Sequence, residues 1–302
     1  MSREIKQSTK DGYDLRLKKL NDGKIIDNYA FLYDVDVIMD KISNLSPGTQ
    51  RNYIISIINA INIHAPILKT KMLPIYTKIM DKFNLALKIN TTKSPKQTAN
   101  WATQNEINEV FNTLRTNTLA LFQSKKKHMS ESDWSQITNT IVLALYVLQP
   151  PRRILDYSAM VIVKSLPKIL DQALNYYELS SHKFIFQNYK TAGTYSTQIT
   201  VAPEDLATLL EAYVKIHPMA LTKVGIPLIC KLDGTSYPKT YSITKILNKI
   251  FKYALGKQIS VSMLRNIYLT SRFAPASKDQ KDTATAMGTS VGMLQNQYVK
   301  LD

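Results

Sequence analysis

A single cysteine, Cys230, stands in 302 residues, so an intramolecular disulfide framework and a cysteine-rich zinc site are both excluded. A reducing, intracellular setting is the expectation. Glycine is scarce, with 9 residues, and none falls in a glycine-rich phosphate loop, which argues against nucleotide hydrolysis. The four histidines, His64, His128, His182 and His217, are scattered and never spaced as metal ligands. Asp34, Asp36 and Asp40 lie close together, but no histidine or further carboxylate joins them, and they fit the solvated face of a helix. Two-metal nuclease chemistry therefore lacks ligands. No apolar run approaches the ~20 residues of a membrane span, and the polar start Met1-Ser2-Arg3-Glu4 is unlike a secretory signal. The expectation is a protein that needs no metal, no cofactor and no membrane.

Acidic residues are also short, with 23 Asp and Glu against 39 Lys and Arg, a formal charge of +16. A globular protein this basic ordinarily faces phosphate, most often nucleic acid. The excess is spread along the chain. Residues 1–100 hold 16 Lys and Arg against 9 Asp and Glu, and the remainder 23 against 14. Double-stranded DNA gripped by both halves is the expected partner.

Helical spacing dominates what is present, so the expected fold is mainly α with a small β-hairpin or sheet. Residues 1–25 lack periodicity and read as a mobile basic arm. Residues 26–90 read as a helical DNA-binding domain. Its second helix opens at Ser46-Pro47, an N-cap followed by proline in the first turn, and turns Tyr53, Ile54, Ile57, Ile58 and Ile61 inward. Thr49, Arg51 and Asn52 stay outside, to meet a DNA backbone or water. Residues 91–101 are polar, basic and broken by Pro95, and read as a linker whose Lys93 and Lys96 are further DNA-contact candidates. From 102 to 302 a second domain begins with the capping box Thr103/Glu106. It continues through a helix with Trp134, Ile137, Ile141 and Leu145 on one stripe. A hairpin is expected from Phe184–Phe186 and the alternating Tyr195–Val201, with its turn at 191–194. Helices follow around Leu264–Tyr268, Asp282–Met287 and Val291–Val299.

Four separated elements carry candidate chemistry. Pro150-Pro151-Arg152-Arg153-Ile154-Leu155-Asp156 follows the Trp134 helix. Tyr189-Lys190-Thr191 sits at the hairpin tip. Ser262-Met263-Leu264-Arg265 places two polar side chains on one helix face. Met287-Gly288-Thr289 precedes Tyr298 by nine residues. Singly, each has an ordinary structural explanation, such as a surface ion pair, a turn residue or a packed tyrosine.

Together, in this order, they resemble the catalytic domain of the tyrosine recombinases, which include the phage integrases. The Pro-Pro-Arg-Arg form is most similar to integrases of eukaryotic viruses and mobile elements. The resemblance covers roughly residues 100–302 and implies a helical core-binding domain ahead of an α+β catalytic domain. It also implies a site-specific DNA recombinase that cleaves and rejoins strands through a 3′-phosphotyrosine, with no metal and no ATP, as a homo-tetramer on DNA. The implied catalytic set is Arg153, Lys190, Arg265 and nucleophile Tyr298, with Ser262 and Thr289 in positions where the family usually has His, and His or Trp. Both hydroxyls hydrogen-bond but carry no positive charge. The first arginine of the family has an acid three residues on, which fits Arg153 with Asp156. Two other readings stay open: DNA relaxation of the type IB topoisomerase kind, and a DNA-binding protein on the same fold with weakened chemistry.

Overall fold

The computed structural model describes residues 7–89, 92–124, 126, 128–222, 224–237, 242–293 and 295. The chain is mainly helical with a small mixed sheet, and divides into two compact units, Met1–Lys93 and Ser94–Asp302.

Four helices build the first unit: α1 (Gln7–Leu20), α2 (Val35–Ile42), α3 (Pro47–Ile63) and α4 (Lys69–Ile89). The expected mobile arm is largely α1. Its Leu17 and Leu20, three residues apart, are buried in this unit's core, and that burial holds the segment as a helix. Asp34 caps α2, accepting from the Val37 amide, so one of the three clustered aspartates has a structural task. Ser46 caps α3 with Pro47 in the first turn, and Ile54, Ile57 and Ile61 are fully buried, as the spacing requires. The Tyr76 hydroxyl of α4 is buried too, and donates to the Leu32 carbonyl at 2.9 Å.

The second unit begins with α5 (Pro95–Asn100), opened by a Ser94/Gln97 capping box. The expected linker is thus partly helical, and Asn100 accepts the Gln258 amide at 2.6 Å. Then come α6 (Gln104–Gln123), started by the Thr103/Glu106 box, and α7 (Glu131–Val147). Trp134 of α7 is buried and donates through Nε1 to the Cys230 carbonyl at 2.9 Å. A short α8 (Ile154–Ser158) leads into β1 (Met160–Val163), β2 (Asn175–Glu178) and β3 (Lys183–Phe186). After α9 (Ala192–Tyr195) come β4 (Gln198–Val201), α10 (Glu204–Lys215), β5 (Ile226–Pro227), α11 (Ser242–Leu255), α12 (Val261–Ala286) and α13 (Val291–Met293).

The five strands lie in the order β4-β3-β2-β1-β5, with β1 and β2 parallel and the other pairs antiparallel. Register sorts the side chains by face. Ile162, Tyr177 and Phe184 align across β1, β2 and β3 and join the main helical core. Tyr176 and Ile185 align on the opposite face, in a smaller cluster with Val163. The expected hairpin is therefore one edge of a wider sheet. Its connection is longer than the tight turn predicted, because Tyr195 belongs to α9 and only 198–201 pair with β3.

The C-terminal region differs most from expectation. Instead of separate helices around 264–268 and 282–287, α12 runs unbroken for 26 residues, through Pro275. It ends in a Schellman cap. The Thr289 amide bonds the Ala284 carbonyl, the Gly288 amide bonds the Thr285 carbonyl, and Gly288 takes φ +66°. Among the described residues no helix is long and apolar enough to cross a membrane.

Candidate active site

Two prolines end α7 and set up the first element of the site. Residues before proline avoid the helical region, so the chain passes from Leu148 into extended backbone. Arg153 keeps that conformation, φ −77° and ψ 160°, immediately ahead of α8. The two arginines consequently diverge. Arg152 is half-buried, with its guanidinium 3.8 Å from the centre of the Phe186 ring. Its Nε donates to Asp156 Oδ2 at 2.7 Å and its Nη2 to Gln198 Oε1 at 2.9 Å. Arg153 is exposed and has no hydrogen-bond or ion-pair partner among the described residues.

The acid expected to brace Arg153 from three residues on is instead held by Arg152, four residues before it. An i,i+4 pair spans one helical turn, and here the arginine's fork reaches the carboxylate directly. Asp156 is 3% exposed, and burial raises its pKa from the ordinary carboxylate value, opposed by Arg152 and more weakly by Arg153 and Arg265. Its second oxygen, Oδ1, is buried without a hydrogen-bond partner among the described residues.

Arg265 approaches from α12. Ser260 caps that helix, and Val261, Met263, Leu264 and Ile267 bury its inner face. The spacing leaves Ser262 exposed and Arg265 half-buried on the same side. Burial lowers the Arg265 pKa, and Arg153 adds to the effect, which places the two guanidinium groups within electrostatic reach of one another. Like Arg153, Arg265 has no hydrogen-bond or ion-pair partner among the described residues. Arg152, Arg153, Asp156, Tyr189, Gln198 and Arg265 line one cleft of about 350 Å³. A larger cavity of about 900 Å³ lies between α6, α7 and α11, lined by Val110, Leu114, Ile250 and Tyr253. Its acids, Glu106 and Glu109, are balanced by Lys249 and Lys252, whereas the smaller cleft sets three arginines against one carboxylate.

Lys190 is exposed in the connection between β3 and β4, and its neighbours Tyr189 and Thr191 line the cleft while Lys190 itself does not. Thr289 is not brought to the cleft. From Arg265 to Ala286 a helix rises roughly 30 Å, at ~1.5 Å per residue, and Thr289 lies just past that end. Tyr298 lies outside the described residues, as do Lys125 and Lys127 of the basic loop. Of the DNA-contact candidates, Thr49 and Asn52 are exposed on α3, while Arg51 donates through Nε to Asn84 of α4. Lys93 and Lys96 are exposed around the start of α5.

No protein-family model matches the chain. No curated protein matches it either.

Several residues of this site are not evident in the sequence. Arg152 with Asp156 is an i,i+4 pair whose spacing is a usable signal. Gln198 and Tyr189 carry no local signal, because only the sheet brings them to the arginines.

Proposed function

We propose that this chain is a tyrosine recombinase of the integrase kind, which cuts and rejoins DNA through a covalent bond to Tyr298. The observation that carries this reading is the cleft where Arg153 and Arg265, far apart in sequence and unpaired among the described residues, meet beside Arg152. Unpaired guanidinium groups held close together repel, and an oxyanion between them relieves the repulsion. Planar guanidinium forks match the non-bridging oxygens of a phosphodiester.

In this reading Arg153 and Arg265 hold the scissile phosphate and stabilise the charge that builds on its oxygens. The Tyr298 hydroxyl gives its proton to solvent as its oxygen attacks phosphorus in line, forming the P–O(Tyr) bond as the P–O5′ bond breaks. A proton from the Lys190 ammonium goes to the leaving 5′-oxygen. Ser262, exposed beside Arg265, adds a hydroxyl for a phosphate oxygen. The bond energy stays in the phosphotyrosine, so rejoining is the same step reversed.

One observation favours a second reading, DNA binding without chemistry: α12 carries Thr289 away from the cleft. The two readings part in one experiment. The whole chain is incubated with a nicked duplex whose cleaved end diffuses away, and a protein–DNA adduct that survives boiling in detergent is sought. Adduct supports cleavage; tight binding with no adduct supports the second reading.

A further inference from the structure

Eleven residues, 187–197, connect β3 to β4 and carry Lys190, and both ends of this connection are tied to the same short turn, the one that presents the arginines. At the first end stands Asn175, the first residue of β2, which is fully buried. All four hydrogen-bonding positions of its amide are used. Its Oδ1 accepts the Gln187 amide at 2.9 Å and the Asn188 amide at 2.8 Å. Its Nδ2 donates to the Asn188 carbonyl at 2.8 Å and to the Asp156 carbonyl at 2.9 Å. One side chain thus joins the start of the Lys190 segment to the residue that holds Arg152.

At the other end Gln198 opens β4 and accepts from Arg152 Nη2, while the Arg152 guanidinium lies over Phe186, the last residue of β3. Between the ties, the Tyr189 hydroxyl donates to the Ser196 carbonyl at 2.7 Å and closes the segment on itself. Ser196 takes φ +57° and ψ −163°, a backbone region that L side chains rarely adopt, so the surrounding bonds must hold it there.

We propose that Asn175 and Gln198 are positioning residues that fix the two ends of the 187–197 segment to the arginine turn, and so set where Lys190 meets the scissile phosphate. The inference rests on the proposed cleavage reaction. A buried amide must satisfy its donors and acceptors, and Asn175 does so on groups of both the arginine turn and the lysine segment, which couples the two. A freely swinging segment would leave Lys190 to find its proton acceptor by diffusion, at an entropic cost that a tethered general acid avoids.

The test uses the full chain, with Asn175→Ser and Gln198→Ala made singly and each combined with Lys190→Ala. Cleavage in a single turnover is measured on two DNA substrates, one with oxygen and one with sulfur at the bridging 5′ position. A thiolate leaves without a proton, so a step that acts through the general acid is bypassed. Each single variant should slow the oxygen substrate by about tenfold or more and cut the sulfur substrate within about twofold of the unaltered chain. Adding Lys190→Ala should slow the oxygen substrate no further than Lys190→Ala alone. Equal slowing on both substrates, or effects that multiply with Lys190→Ala, would overturn the proposal. Hydrogen exchange gives a second readout that needs no activity. Amides 187–197 should exchange faster in both variants, and unchanged protection would overturn the proposal by itself. Should Asn175→Ser fail to fold, Gln198→Ala, on the edge strand, carries both measurements. If the unaltered chain forms no adduct while exchange quickens as expected, the cleavage reading is what has failed.

Discussion

Arg152 and Arg153 are adjacent in sequence and opposite in surroundings, so their alanine variants should separate two kinds of damage. Arg153→Ala removes one unpaired charge from the proposed phosphate-binding cleft. It should cut the cleavage rate by about 10²–10³ and leave stability within about 0.5 kcal/mol. Arg152→Ala leaves Asp156 buried without its partner, which should cost about 3 kcal/mol near neutral pH, read as a lower urea midpoint for the second unit. That loss should depend on pH. Burial already raises the folded-state pKa of Asp156 above 3.8, and losing Arg152 raises it further. A carboxyl whose folded pKa is raised contributes fully below its unfolded value, and the contribution is lost as pH rises through the folded value. The gap between Arg152→Ala and the unaltered chain should therefore be smallest near about pH 3 and widen toward neutrality. A gap that is constant with pH would place the cost of the variant in lost packing on Phe186. At this scale the proposed site was half legible in the sequence. The arginines and Lys190 stand out because their order along the chain resembles a known family. Asn175, Gln198 and the true partner of Asp156 depend on sheet register and on which arginine turns inward, which spacing along the chain does not encode.

Helices with an apolar stripe and a polar cap were the legible elements, since both signals lie within one or two turns of sequence. The Thr103/Glu106 box of α6 is an example that can be measured. Its carboxylate is pushed down to about 2 by the Thr103 amide first, then by Lys257 and the Thr103 hydroxyl. A depressed carboxylate contributes above its unfolded pKa, near 4.5, and the contribution fades as pH falls toward the folded value. Glu106→Gln can keep the box but loses the charge. Because the side chain is 36% exposed, screening should hold the loss below about 1 kcal/mol at pH 7. Unfolding curves of variant and unaltered chain should converge on acidification; a gap that persisted would assign it to the box geometry. The strands were less legible, since β1, β2 and β5 have only two to four residues each and gain their stability from non-local partners. The length of α12 was not legible at all. Pro275 ordinarily signals a break, because it removes one backbone donor and crowds the preceding turn. Residues 269–279 are exposed around the whole helix, so little packing opposes a bend there. If the reaction needs α12 to bend, Pro275 is where bending costs least. Pro275→Ala should then stiffen α12, read as slower amide exchange over residues 269–279, while slowing adduct formation. Unchanged rates, with activity restored by mixing Tyr298→Phe and Arg153→Ala chains, would mean that the tyrosine serves the cleft of a neighbouring copy.

At the scale of the whole molecule, the basic excess is shared between two units with separate cores. Residues 94–302 alone should fold, because their core is self-contained, yet bind duplex DNA more weakly than the full chain. Every phosphate that the first unit no longer neutralises should flatten the dependence of log affinity on log salt by ~0.9. Equal affinity and slope would show that the first unit takes no part in binding. The fold class was legible at this level because mean composition and helical spacing suffice for it. The proposed chemistry rests on Tyr298 and on one cleft, and neither is encoded by composition or helical spacing. The most direct measurement is to digest the covalent adduct formed on a nicked duplex and to locate the modified residue by mass spectrometry. The expected result is a nucleotide on Tyr298, and a Tyr298→Phe chain that binds DNA normally and forms no adduct. An adduct on another residue, or full adduct yield from Tyr298→Phe, would refute the assignment of the nucleophile.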